Sequence, residues 1–335
     1  MVKMVLGSSD TQGQTMASVG EARIASYNEA ISALSAFDNA GDLQGAAYDS
    51  GKQYGMNVIT PLLKGAIMYT ELVSEAVPKL PSKYQSEVGG EDLDSEVLES
   101  EIRSLEASLH GIRWMYYAMV GDESTSTSTL SSLLNRMDSL TGQRNEKMDK
   151  LRKLNLFAGS SNEVFSAGEG SSLVDNLAQN LQTGLSQIQT EFSSFSGTFP
   201  KHSVHTLGWA KNIEGEWDKK VKIDEDYQKV LKRIEDGKEL SEDDVKVLEA
   251  YQKRYGRDLP DSVNNALKNY VEKEINDIVK MISDTSEAYK RGEIGEEALD
   301  SVFNFLKQNG INISPDDLKN KSVDFLKESI TSKLS

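Results

Sequence analysis

Cysteine is absent from this chain of 335 residues, which excludes disulfides, thiolate metal sites and a cysteine nucleophile. Proline occurs six times, with none between residues 82 and 199, so long uninterrupted helices are allowed there. No apolar run approaches the ~18–20 residues that span a bilayer, and no stable membrane insertion is expected. The opening MVKMVLGSSDTQGQ is too short an apolar stretch for a cleaved secretory signal. If the chain leaves the cell, it takes a route that reads no such peptide. Positive charge is also scarce: 37 Lys and Arg face 53 Asp and Glu, a net charge of −16. That argues against nucleic acid as the main partner and against adhesion to an anionic lipid surface.

What the chain has in abundance is helical periodicity. Residues 1–14 read as a flexible start. Ile24, Tyr27, Ile31 and Leu34 step by three and four through a first helix over 15–38, stopped by Asp38–Asp42 with Gly41 suited to a C-terminal cap. A second helix starts near residue 43, carries Pro61 inside as a kink, and ends at Pro78 and Pro81. Gly45, Gly51, Gly55 and Gly65 strip bulk from several of its turns. Each interior glycine costs up to ~1 kcal/mol, tolerable where another helix lies close against the backbone.

Leu98, Ile102, Leu105, Leu109, Ile112, Tyr116 and Met119 form a heptad seam in a third helix. Leu130 to Leu154 mark a fourth, residues 158–172 a Gly/Ser-rich break, and Leu173 to Phe199 a fifth, closed by Pro200. No strand pattern appears in these 200 residues. Shorter helices follow at 224–236, 241–255 and 261–291, then a final segment over 295–333, with Ser241 and Asp244 as a capping pair. Arg233–Tyr251 and Tyr289–Phe305 weakly echo each other as a reused helical hairpin. The expected fold is all-α: an elongated, rod-like antiparallel bundle over 1–200, a junction at 201–223, and a smaller all-helical connector over 224–335.

Little in the chain has the make-up of a catalytic site. His202 and His205 have metal-ligand spacing, with Glu214, Glu216 and Asp218 nearby, but two histidines in such a linker read as solvated side chains. His110 has no triad to join. The acidic clusters at 91–94, 224–226 and 242–244 sit at helix starts, where they complement the helix dipole. There is no EF-hand spacing and no phosphate-binding glycine loop. No enzyme activity, cofactor or metal is expected. Trp114 lies about 200° from the seam residues Ile112 and Tyr116, flanked by Tyr117. A tryptophan there either packs on a further helix of the same chain, the preferred reading, or awaits a partner. On helix one, Ala22, Ser26, Ala33 and Ala36 form a second face of small residues opposite the apolar stripe.

Leu43-Gln44-Gly45 at a helix start, AYDSGKQY at 47–54, TPLLKGAI at 60–67, KLPSKYQSEV at 79–88 and the acidic EDLDSEVLESEI at 91–102 together resemble LXG-domain proteins. The resemblance covers roughly residues 1–200. It implies a substrate of the type VIIb secretion system of Gram-positive bacteria: a targeting domain of a secreted antibacterial toxin used in interbacterial competition. Small helical partner proteins encoded nearby, acting as chaperones, would pack on its helices and present it to the secretion apparatus. The residues assigned to partner binding are Ala17, Ile24, Tyr27, Ile31, Leu34, Leu43, Gly45, Tyr48, Gly51, Gly55, Trp114 and Tyr117. The Trp-x-Gly turn of such substrates is absent, while Tyr270-Glu274 and Tyr289-Glu293 fit their Tyr-x-x-x-acid signal. Residues 224–335 would connect to a toxin domain beyond a truncated C-terminus. The alternatives are a complete toxin, membrane-perturbing or enzymatic, with its activity in 224–335, and a cytosolic coiled-coil scaffold.

Overall fold

A computed structural model describes residues 1–165 and 170–308. Among them the chain is all-α apart from two strands of two residues each. The order is β1 (Lys3–Met4), α1 (Leu6–Asp38), α2 (Ala46–Tyr54), a π-helical turn (Gly55–Ile59), α3 (Thr60–Ala76), α4 (Lys79–Glu87), β2 (Leu93–Asp94), α5 (Ser95–Val120) and α6 (Thr127–Ser160). A 3-10 turn (Ser161–Phe165), α7 (Gly170–Ser193), a second 3-10 turn (Val204–Thr206), α8 (Gly208–Glu235), α9 (Glu242–Tyr255), α10 (Asp261–Lys290) and α11 (Glu296–Gln308) complete it. The contacts fall into two compact units. The first takes Met1–Lys222 with Lys253–Arg257; the second takes Ile223–Gln252 and the chain from Asp258 onward.

The N-terminus is not the flexible start that its sequence suggests. β1 pairs antiparallel with β2, Lys3 opposite Asp94 and Met4 opposite Leu93. The Val2 amide donates to Ser95 Oγ and the Leu6 amide to Asp92 Oδ1, each at 2.9 Å. Helix α1 therefore begins at Leu6, nine residues before its expected start at 15. The partners that hold this end lie 93 and 86 residues away, so no local pattern announces them. Asn39, not Gly41, caps the other end of α1, its side-chain amide donating to the Ser35 carbonyl at 2.8 Å.

The expected second helix is α2, the π-turn and α3 run together from Ala46 to Ala76, with every junction residue in the helical region. Pro61 lacks an N–H and would clash inside a regular helix. Here the π-turn precedes it, and the Gly55 carbonyl accepts both the Thr60 amide and, at 3.0 Å, the Thr60 hydroxyl. Pro61 thus sits in the first turn of α3, where a missing donor costs nothing. Pro78 ends that run, and Pro81 falls in the first turn of the next helix, α4, so it does not stop the chain there.

The glycines do mark close approach. A Cβ on Gly20 of α1 would lie 1.9 Å from Ser74 Oγ of α3, and one on Gly13 would lie 2.9 Å from Pro78. On α3, a Cβ at Gly65 would meet Ile213 at 2.7 Å. Close approach of this kind leaves no room for a methyl group without displacing a neighbour.

Helices α5 and α6 form a hairpin. Asp94 caps α5 by accepting from the Glu96 amide at 3.0 Å, and Ser126 caps α6 by accepting from the Thr129 amide at 3.2 Å. At the base of the hairpin, Tyr84, Leu93, Leu98, Leu154 and Phe157 make one buried cluster, with Val2, Met4 and Leu6 packed on it. Leu109 and Ile112 of the seam are buried further along.

The fifth helix and the junction differ most from expectation. α7 stops at Ser193, not at 199, and Phe199 leaves the helix to stack on Tyr54 at 4.6 Å between ring centroids. Residues 208–223 are helical, the first part of α8. Trp209, Ala210 and Ile213 are buried with Tyr54, Val58, Met68, Leu173 and Leu177 in the largest core of the first unit. A stretch expected to be a junction is a wall of that core, since Trp209, Ile213 and Trp217 recur every four residues.

In the second unit, Tyr227, Val230, Leu240, Leu248, Leu259 and Val263 form the core. Ser241 and Asp244 cap α9 reciprocally: the Ser241 amide donates to Asp244 Oδ2 at 2.8 Å, and the Asp244 amide to Ser241 Oγ at 3.2 Å. The two echoing stretches make the same turn. Gly237 and Gly292 have φ of 69° and 72°, and the next amides, Lys238 and Glu293, reach back to Arg233 and Ala288, the Schellman arrangement. Of the expected final segment, α11 covers Glu296–Gln308; Leu318, Val323, Phe325, Leu326 and Ile330 lie outside the described residues.

Candidate functional site

The turn between α1 and α2 gives the Leu-Xaa-Gly triplet a structural role. Gly45, the N-cap of α2, has φ 109° and ψ 162°, a region only glycine enters freely. Gln44 folds back, its side-chain amide donating to the Gly41 carbonyl at 2.8 Å. Lys52, inside the AYDSGKQY stretch, closes the turn by donating to the Ala40 carbonyl at 2.5 Å. Leu43 is half-buried and Tyr48 is 46% exposed. Gly45→Ala is expected to cost about 1–3 kcal/mol, read by thermal or urea unfolding, although nothing occupies the space a Cβ would fill.

The other candidate partner-binding residues separate into two groups. Ile24, Tyr27, Ile31 and Leu34 share the α1 face of Gly13 and Gly20, which packs on α3, with Ala17 at its edge. All five are half-buried. A Cβ on Gly55 would lie 3.0 Å from Leu34, and one on Gly51 would lie 3.6 Å from the Phe37 ring. This stripe therefore builds the chain's own helix pairing, and Gly51 and Gly55 are the sockets for it. The opposite face, Ala22, Ser26, Ala33 and Ala36, is exposed. Trp114 and Tyr117 are 70% and 72% exposed. That overturns the preferred reading of Trp114 as packed within the chain: among the described residues α5 packs chiefly on α6, and the seam residues Leu109 and Ile112 are the buried ones there.

A buried polar network went unrecognised in the sequence. Glu191 near the end of α7 accepts from the Tyr54 hydroxyl at 2.6 Å through Oε2 and from Gln187 at 2.9 Å through Oε1, and His202 Nε2 lies 2.7 Å from the same Oε1. Gln187 in turn accepts from the Trp209 indole at 2.9 Å. His202 is thus paired, not solvated. Burial by itself pushes the Glu191 carboxyl up, but hydrogen bonds from Tyr54, Gln187 and His202 outweigh it and hold the group below its ordinary value. Burial and the same carboxylate push the Tyr54 phenol well above its usual range. The signal was the single acid in the aromatic TEFSSFSGTF run. Among the described residues no group of three or more His, Asp and Glu side chains is placed to hold a metal. Glu214 pairs with Lys64 at 2.7 Å and Glu216 with Lys219 at 2.7 Å. Nor, among the described residues, is any helix long and apolar enough to cross a membrane.

No family model and no solved structure matches the chain. It is similar to a protein named "Toxin" from Bacillus cereus, 28% identical over 218 residues, which are 64% of this chain and 36% of that protein. The chain therefore spans about a third of the length of this relative. The similarity supports kinship with a toxin family.

Proposed function

We propose that this chain is the targeting region of a secreted antibacterial LXG toxin. It recruits small helical partner proteins, and the assembly is exported through the type VIIb secretion apparatus. Its work is recognition and not catalysis. The observation that carries the reading is the Leu43-Gln44-Gly45 turn, with Gly45 at φ 109° and Lys52 closing it, in a chain similar to a protein named "Toxin". The partner site follows from the two faces of α1. The apolar stripe is spent on α3. The exposed small residues Ala22, Ser26, Ala33 and Ala36 let another helix approach closely, a helix-on-helix mode in which apolar side chains of the partner fill the space. The net charge of −16 keeps the exposed faces soluble.

The test is co-expression of the full chain with the small proteins encoded beside its gene, followed by size-exclusion chromatography with light scattering. A complex of defined mass is expected. Ala22→Arg with Ala33→Arg abolishes it while leaving the melting of the chain itself nearly unchanged, because arginine is almost as good a helix former as alanine. Ile24→Asp or Ile31→Asp would be a poorer probe, since those side chains lie on the α3 face. A chain that ignores its neighbours overturns the reading.

A further inference from the structure

The end of the α5–α6 hairpin is unlike the rest of the surface. The chain is 27% charged, yet residues 107–135 hold only Arg113, Asp122 and Glu123. Trp114, Met115, Tyr117, Met119 and Val120 of α5 and Leu134 of α6 are exposed there. Contiguous apolar exposure of this kind marks an interaction surface. The charges that remain are ordered along it. Arg113 and Arg136, both exposed, lie at the inner border; Asp122 and Glu123 lie at the turn. Neither arginine, nor Glu123, forms an ion pair or side-chain hydrogen bond among the described residues, and there the Asp122 carboxylate accepts only from Ser124, at 2.6 Å from its hydroxyl and 2.9 Å from its amide.

We propose that this tip pairs two copies of the chain about a two-fold axis. At about 100° per residue, Arg113, Trp114, Tyr117 and Val120 fall within an arc of about 120° on α5. Two such helices placed antiparallel with the axis at Tyr117 bring Tyr117 against its own copy and Trp114 against Val120. The same register sets Arg113 beside the Asp122–Glu123 turn of the other copy. The surface is therefore self-complementary, as an isologous dimer requires: one apolar band with a positive border on one side and a negative border on the other. The three apolar side chains on that arc, Trp114, Tyr117 and Val120, offer roughly 400 Å² per copy, about 800 Å² over both, the size of a weak, reversible association. A bilayer fits worse, because entry by the tip would carry Asp122 and Glu123 in first. The proposal uses a different surface from the α1 face and does not rest on the export reading.

Sedimentation equilibrium of the full chain, alone, from low to high micromolar concentration tests it. A monomer–dimer equilibrium is expected, with Trp114 emission shifting to the blue as the dimer forms. Trp114→Ala weakens the dimer about 30-fold or more, the loss of one central aromatic anchor. Arg113→Glu weakens it about tenfold, and adding Asp122→Arg and Glu123→Arg restores it to within a few-fold. Because these side chains are exposed, the variants keep the parent melting curve. A chain that stays monomeric throughout overturns the proposal. So does a dimer indifferent to Trp114→Ala and to the charge swap, or a monomer whose Trp114 emission shifts only on neutral phosphatidylcholine vesicles, which would assign the tip to a lipid surface.

Discussion

Replacing Trp209 by alanine is expected to lower stability by about 3–5 kcal/mol, the range for deleting a large buried aromatic side chain. Trp209 is 6% exposed and packs in the core with Val58, Met68, Leu177 and Ile213. A Cβ on Gly184 would lie 3.0 Å from its ring, so α7 closes on it without side-chain bulk between. The collapsed site also strands the Gln187 carbonyl oxygen that the indole satisfies at 2.9 Å. Urea unfolding followed by circular dichroism measures the effect. Trp114→Ala is the control: an exposed side chain should move the midpoint by no more than about 0.5 kcal/mol. If Trp209→Ala proves as mild as Trp114→Ala, residues 201–223 behave as the linker their histidines and flanking Pro200 suggest, and the core described here is wrong.

Glu191→Ala should cost about 2–4 kcal/mol, since it leaves the Tyr54 hydroxyl and the His202 ring without their shared acceptor in a site where water reaches little. The side chains of His202 and Glu191 are only 20% and 15% exposed. The loss has a pH signature. The folded carboxyl sits below its ordinary value of 4.5, so the contribution is fully present above that pH. It is lost as pH falls through the folded value, when the native state must take up the proton. The stabilities of wild type and Glu191→Ala should converge in acid below about pH 4.5, and the gap should be flat from neutral pH down to there. Tyr54 acts at the other end. Its raised phenol resists ionisation in the folded chain while the unfolded one ionises near 10, so stability declines as pH rises beyond that. Tyr54→Phe removes its share of the alkaline decline, while Tyr84 and Tyr270, whose phenols burial also raises, keep theirs. A gap between wild type and Glu191→Ala that persists unchanged at low pH would mean that packing, not the carboxylate, is what Glu191 supplies.

Much of the helical architecture was legible because periodicity is local. The α5 seam, the α9 and α10 helices, the reciprocal Ser241–Asp244 cap and the acidic starts of α5 and α9 each depend on residues within a turn or two of one another, which a linear reading can see; the acidic cluster at 224–226, expected at a helix start, lies inside α8. The small face read on α1 is exposed, and Gly13 and Gly20 of that helix carried no signal, but Gly55 and Gly65 were legible as sites of close approach. Which helix approaches was not: Gly20 serves Ser74, and Gly65 serves Ile213 nearly 150 residues later. The same limit applies to the apolar stripe of α1. An apolar face says that something covers it, and only the tertiary structure says that α3 covers Ile24 and Ile31 while nothing among the described residues covers Trp114.

By itself, then, the sequence determined that this is a helical, acidic, cysteine-free chain, because composition and helical phase are properties of short segments. The tertiary structure decided the rest. It anchored the N-terminus on β2, opened the second helix at a π-turn so that Pro61 is harmless, and turned the histidine-bearing junction into a core wall. It also joined Tyr54 to Glu191 and His202. Each of these rests on contacts between residues far apart in the chain, whose energies exist only once the chain has folded and excluded water between them.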